Sequence, residues 1–416
     1  MQRALFSLFS LFIFPVLLTA CPLAKKEASM NRTKLSATPE GDVSTHDDSS
    51  VTMGAERFDQ YLPTLEGQRV AVMSNQTGMV GDVHLVDALV ERGIKVVAIF
   101  SPEHGFRGTA DAGEKVSGSV DEKTGIPIWS LYGGGGGKPS VDQMKEFDLL
   151  LFDIQDVGLR FYTYYVSMAR LMDACAEHGK KMIVLDRPNP NGFYVDGPLL
   201  DMKHKSGVGW LPIPVAHGMT LGELALMING EKWLPGGRVC DLTVVPCENY
   251  THQTRYELPI APSPNLPTIQ SIYLYPSTCL FEGTVMSLGR GTSFPFETYG
   301  HPDYEGSDFT FTPLSVPGAK NPPLLNKKCY GVDLRNVPHE EIWEKGFDLS
   351  YIIDAYHNLN IGEAFFTSFF EKLVGVDYIR EDIMAGKSAD AIKVRWADDV
   401  EQFKQQRKPY LLYEDI

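Results

Sequence analysis

The chain has 416 residues, 43% hydrophobic and 22% charged, a composition that excludes a disordered or fibrous protein and leaves room for two or three domains. Its formal net charge of −15 argues against a nucleic-acid partner, since phosphate contacts need a basic surface.

The N-terminus, "MQRALFSLFSLFIFPVLLTAC", places one basic residue, Arg3, before an apolar run to Ala20. Polar sequence comes directly after it, which favours a signal peptide over residues 1–20 rather than a membrane span. Its end, "LTAC", resembles a bacterial lipobox. That pattern implies cleavage before Cys21 and lipidation of its sulfur, and hence an exported lipoprotein at the periplasmic or cell-surface face of a membrane. The residue after Cys21 is not Asp, which favours an outer membrane where one exists. The alternative is an uncleaved anchor with an incidental cysteine. Residues 21–55 are rich in Ser, Thr, Asp and Lys without apolar periodicity, and are expected to form a flexible tether. Five further cysteines remain, Cys175, Cys240, Cys247, Cys279 and Cys329, an odd number that does not suggest a disulfide framework.

From about residue 56 the pattern changes. "RVAVMSN" (69–75), "KVVAIFS" (95–101), "IPIWSLY" (126–132), "DLLLFDI" (148–154), "KMIVLD" (181–186) and "DLTVVP" (241–246) are short apolar runs that read as strands. Helical spacing fills residues 83–93, 164–179 and 220–230, the last with Thr220 and Glu223 as a capping box. Apolar strands alternating with helices predict a parallel sheet covered on both faces. The reading is therefore α/β: a Rossmann-like doubly wound domain over 56–248, then a smaller α+β domain over 249–416, with a cleft between them. In the second domain, "LSYIIDAYHNL" and "AFFTSFFEKLV" predict helices.

Open parallel sheets bind ligands beyond the carboxyl ends of their strands, so the residues just past each strand are the candidates for chemistry. After the second strand comes "SPEHGFRG", with Glu103, His104 and Arg107. A carboxyl group at the lip of an apolar strand suits a general acid, and a guanidinium suits a carboxylate ligand. "DIQDVGLRFYTY" supplies Asp153, Asp156, Arg160 and Tyr162, and "DRPNPNG" supplies Asp186, Arg187 and Asn189. Each cluster has a bland counterpart: Glu103 paired with Arg107, Asp186 paired with Arg187, tyrosines packed in a core. The second half adds His217 in "PVAHGMT" and Glu282, Arg290 and Thr292 in "FEGTVMSLGRGTS". The run "GGGGG" at 133–137 lacks the Lys-Ser/Thr of a phosphate loop, and no G-x-G-x-x-G opens a helix after the first strand, so nucleotide binding is not expected. No C-x-x-C or H-E-x-x-H metal spacing occurs either, and no cofactor is expected.

Taken together, "SPEHGFRG", "DIQDVGLRFYTY", "LDRPNP", "PVAHGMTLGELA" and "FEGTVMSLGRGTSFPFE" resemble the NamZ-type exo-β-N-acetylmuramidases, glycoside hydrolase family 171, from about residue 56 to the C-terminus. The polyglycine after Tyr132 is a local departure. The resemblance implies an enzyme that releases β-1,4-linked N-acetylmuramic acid from the non-reducing end of peptidoglycan fragments. N-acetylmuramic acid carries a lactyl carboxylate, for which Arg107, Arg160 and Arg290 are candidate cations. Glu103 is the expected acid, with His104 as its partner. Asp153, Asp156 or Glu282 could activate water or act as nucleophile, or the substrate's own acetamido group could attack. Two rival readings are a lipid-anchored cell-wall binding protein without turnover, and a metal-dependent hydrolase using His104, Asp153, Asp156 and His217. Oligomeric state is left open.

Overall fold

The computed structural model describes residues 50–102, 106, 119–131 and 137–415. The expected signal peptide, Cys21, most of the tether, Glu103, His104 and Arg107 lie outside the described residues. Ser49–Ile416 forms one compact unit.

The strands β1 (Val70–Ser74), β2 (Met79–Val80), β3 (Val83–His84), β4 (Val96–Ser101), β5 (Ser119–Val120), β6 (Pro127–Ser130), β7 (Leu149–Asp153), β8 (Lys181–Leu185) and β9 (Asp241–Val245) belong to the first half. Seven of them form one sheet in the order β5-β6-β4-β1-β7-β8-β9, parallel except for the pairing of β5 with β6. Strands β2 and β3 form a separate hairpin. The chain starts at the sheet centre, winds outward through β4 and β6, then returns to the other side of β1 with β7, β8 and β9. The order therefore reverses between β1 and β7, where such sheets open a crevice at their carboxyl ends.

Period-two alternation explains both coverings. Val70, Val72, Leu149, Leu151, Ile183 and Leu185 point to one face, against α1 (Phe58–Leu65) and α2 (Leu85–Glu91). Ala71, Met73, Leu150, Phe152, Met182 and Val184 point to the other. There they share a core with α4 (Tyr164–His178) and α5 (Leu221–Gly230); a short α3 (Val141–Lys145) connects β6 to β7. Because β1 and β7 are buried on both faces, they read in the sequence as unbroken apolar runs.

The second half adds an antiparallel sheet of β10 (Thr298–His301), β12 (Cys329–Asp333) and β11 (Thr310–Phe311), in that order, together with helices. The first of these, α6 (Ile269–Thr278), is capped by Thr268 and Ser271. Its side chains join the same core as α4 and α5, so no apolar gap separates the two halves.

Three details depart from the sequence reading. The tether expected through residue 55 ends earlier: Thr52 pairs with Glu248, the Gly54 amide donates to the Asp186 carbonyl, and Ala55 is fully buried. Polar composition concealed this, because the anchoring is by backbone. The helix expected over "AFFTSFFEKLV" is broken: a 3-10 turn ends at Phe365 and an α-helical segment resumes only over Phe370–Val374. Phe366 is extended and pairs with Thr284, and the Thr367 amide donates to the Gly283 carbonyl, so tertiary pairing overrides the helical spacing. Residues 83–84 form the hairpin strand β3, so the helix expected from residue 83 begins at Leu85.

Candidate active site

At the carboxyl edge of the sheet lies a cavity of about 370 Å3, within the ~300–1,000 Å3 usual for small-molecule sites. Pro102 at the end of β4 and Leu131 after β6 form one wall. The loop after β7 and the start of α4 supply Phe161, Tyr162, Thr163, Tyr164, Val166, Ser167 and Arg170. The second half closes it with Ser263, Tyr275, Glu282 and Arg290. Pro102 precedes Glu103, so the chain that carries the expected acid leaves β4 at the cavity wall.

The aromatic wall is built by edge-to-face contacts. Tyr162 packs against Tyr164 with ring centroids 5.0 Å apart and against Tyr275 at 6.2 Å. The Tyr162 hydroxyl donates to the Pro262 carbonyl at 2.9 Å, leaving its ring face as the part available to a ligand. The Asn75 side-chain amide donates to the Tyr164 hydroxyl at 3.1 Å, which ties this wall to the loop after β1. Tyr275 is deeply buried, and burial pushes its phenol well up, so it stays neutral.

Glu282 and Arg290 face one another across the cavity rim. Arg290 Nε and Nη2 both donate to Glu282 Oε1, at 2.8 and 2.6 Å. Among the described residues Oε2 of Glu282 accepts no hydrogen bond. Each side chain keeps about a quarter of its surface exposed, 25% and 24%, and the Arg290 guanidinium lies 5.0 Å from the Phe296 ring centroid. Thr292 lies two residues on: its hydroxyl donates to the Gly289 carbonyl at 2.7 Å and accepts from the Phe294 amide at 3.2 Å. Thr292 thus holds the loop that carries Arg290.

The other expected groups lie beside the cavity, inside the protein. Asp153 and Arg187 form a buried pair, with Nε to Oδ1 at 2.5 Å and Nη2 to Oδ2 at 3.0 Å. Asp186 sits at the start of α5: its Oδ1 accepts the Gly222 amide, and its Oδ2 accepts the hydroxyls of Thr220 and Tyr413. Burial outweighs those bonds and lifts its carboxyl to about 6. Asp186 therefore does not pair with Arg187, its sequence neighbour, because the two side chains leave β8 on opposite sides. Arg160 is fully buried and donates to four backbone carbonyls, those of Pro198, Ile213, Leu373 and Val374, at 2.7–3.0 Å. Burial lowers its guanidinium to about 10. It is not among the cavity residues and acts as a strut between the halves.

Asp156 Oδ1 accepts the Gly158 amide at 2.7 Å while Oδ2 has no partner among the described residues, and burial raises this carboxyl to about 7. The loop fits only because residue 158 is glycine: its φ is +75°, and a Cβ there would lie 2.1 Å from Nδ2 of Asn189. Asn189 in turn donates to the Met219 carbonyl and accepts the Asn191 amide, which makes it a turn residue. His217 is wholly buried, accepts the Met219 amide at Nδ1, and is pushed by burial down to about 3, so it is neutral. Among the described residues no three His, Cys, Asp or Glu side chains come together as a metal site. All five cysteines in that part of the chain are free and buried.

The cavity also contains residues that the motifs did not single out. Thr163, Val166, Ser167 and Arg170 recur at three- and four-residue intervals on α4 and its N-cap, one helix face turned to the cavity. That stripe, with two hydroxyls and a cation on one face of the first half of the helix, is the signal in the sequence that would have found them.

Two family models cover nearly the whole described chain. Residues 70–270 match the N-terminal domain of exo-beta-N-acetylmuramidase NamZ, and residues 273–413 match its C-terminal domain. A peptidoglycan beta-N-acetylmuramidase NamZ from Bacillus subtilis is 39% identical over 402 residues, 92% of this chain and 96% of that protein. Two crystal structures of DUF1343 family proteins from Bacteroides fragilis share the fold. One, at 64% identity and a TM-score of 0.84, matches 88% of this chain and 100% of that one. The other, at 29% identity and 0.74, matches 88% and 99%.

Proposed function

The chain belongs to the exo-beta-N-acetylmuramidase NamZ family, and from that premise we propose that its cavity hydrolyses the terminal β-1,4 linkage of N-acetylmuramic acid at the non-reducing end of peptidoglycan fragments. The observation that carries this reading is the convergence of Pro102, Tyr162 and Glu282 on one cavity. It brings together the strand end that leads into Glu103, a flat ring face for a sugar, and a carboxylate with one oxygen uncommitted among the described residues.

In this reading Glu103 donates its proton to the glycosidic oxygen as the bond to C1 breaks. Glu282 is the second carboxylate. Three were open from the sequence, but Asp153 has both oxygens on Arg187 and Asp156 is buried away from the cavity. Glu282 takes the proton of a water attacking C1, or adds to C1 directly to form an ester that water, deprotonated by Glu103, then hydrolyses; these are the two geometries that glycosidases use. The Arg290 guanidinium on Oε1 orients Glu282, as a charge-assisted bond does. The substrate class is peptidoglycan-derived saccharide, and no cofactor enters the scheme.

Release of 4-nitrophenol from its β-N-acetylmuramide, but not from the β-N-acetylglucosaminide, is the expected result, with loss of release in Glu103→Gln. Tight muramide binding without release from the native protein would instead favour a cell-wall binding role. We also propose that residues 1–20 are removed and Cys21 lipidated, which would hold the enzyme at a membrane on the exported side. The native protein is then expected in the membrane fraction and Cys21→Ala in the soluble one. Equal partition of both would contradict an anchor at that residue.

A further inference from the structure

We infer that Arg170 is the cation that recognises the carboxylate of the bound sugar and so selects N-acetylmuramic acid; this rests on the muramidase reading above. An anionic ligand entering a protein of net charge −15 needs a local positive group. Among the three arginines that the motifs offered, Arg160 is buried on four carbonyls, Arg290 is neutralised by Glu282, and Arg107 lies outside the described residues. Arg170 lines the cavity, is half-buried, and makes no hydrogen bond or ion pair among the described residues. A half-buried guanidinium without a partner is costly to keep, and a carboxylate ligand supplies what it lacks.

Two further features hold Arg170 in that state. The acid nearest to it along α4, Asp173, is three residues on and would be a natural partner. Asp173 is instead buried under Lys138 and Arg238, which both pair with it. The Lys138 pair also clamps the end of the polyglycine run onto α4. That places Gly137 against the guanidinium: a Cβ at residue 137 would lie 2.3 Å from Arg170 Nη1 and 3.2 Å from its Cζ. Gly137 has φ +74° and is buried, so the last residue of the run is a rest for the arginine. On the same helix face, Ser167 and Thr163 offer hydroxyls to the sugar.

The test compares N-acetylmuramic acid with its lactyl methyl ester, which fills the same space without the charge. Calorimetry on the native protein should show the acid binding ~10- to 100-fold more tightly, the range for one hydrogen-bonded charge. Arg170→Met should bring that ratio close to one by weakening the acid alone, and Arg170→Lys should restore part of it. Gly137→Ala, which displaces the guanidinium, should lower the ratio several-fold, and it serves if Arg170→Met does not fold. A ratio unchanged in Arg170→Met, or in both Arg170→Lys and Gly137→Ala where Arg170→Met is unfolded, overturns the inference. Failure of the native protein to bind either ligand would instead contradict the muramidase reading itself.

Discussion

The carboxyl edge of the sheet is polar along its whole length, yet its two ends behave differently. Beyond β4 and β6 the polar groups face an open cavity, and among the described residues Glu282 and Arg170 each keep unmet bonding capacity there. At the ends of β7 and β8 themselves the charged groups are sealed inside the protein, although the loop that follows β7 goes on to line the cavity. Asp153 is matched by Arg187, and Asp186 is covered by Tyr413 from the C-terminus and by the backbone of Gly54 from the N-terminus. The contrast teaches that charge at a strand end locates a rim but does not identify a site. What distinguishes the two ends is whether each carboxylate already has its partners.

This contrast predicts opposite phenotypes. Glu282→Gln should lower kcat/KM for a muramide by ~100- to 10,000-fold, the range for removing a proton-transfer group. Its folding stability should change by less than about 1 kcal/mol, because the pair with Arg290 is partly exposed. Arg187→Met should do the reverse. It strands Asp153 without a counterion inside the protein, at a cost of about 3–5 kcal/mol in denaturant unfolding. Turnover by the molecules that stay folded should persist.

A pH-dependent effect sharpens the sealed end. Asp156 titrates at about 7 in the folded protein against 3.8 ordinarily. The folded state therefore binds the extra proton, and this stability is present below pH 4 and lost as the pH rises through 7. Asp156→Asn removes that dependence. Relative to the native protein, its melting temperature should be most favourable above pH 7 and fall back toward pH 4. Taking the difference cancels His217, which pulls the other way because its folded value of about 3 lies below 6.5. A difference that does not vary with pH would place Asp156 in contact with water.

The sheet was largely legible in the sequence because its central strands are buried on both faces, and residues 70–74 and 149–153 could hardly read otherwise. The capping box at Thr220 and Glu223 was legible for the same local reason. The antiparallel edge strand β5 and the sheet of β10–β12 were not, since short strands of two to five residues carry little periodicity. For the site, the motifs named Tyr162, Glu282 and Arg290, and these three line the cavity. They could not separate these from Arg160 or Asp186, because pairing and burial depend on residues 34 to 227 positions away, such as Leu373 and Tyr413. Arg170 was missed because a lone arginine in a helix looks like a solvated face until its cavity is seen.

The most direct measurement is muramide hydrolysis by Glu282→Gln and Arg187→Met, assayed side by side at a temperature where both remain folded. The account predicts that Glu282→Gln is folded but nearly inactive, while Arg187→Met, though far less stable, turns over at close to the native rate. An active Glu282→Gln beside a folded, inactive Arg187→Met would place the chemistry at the sealed end and contradict it.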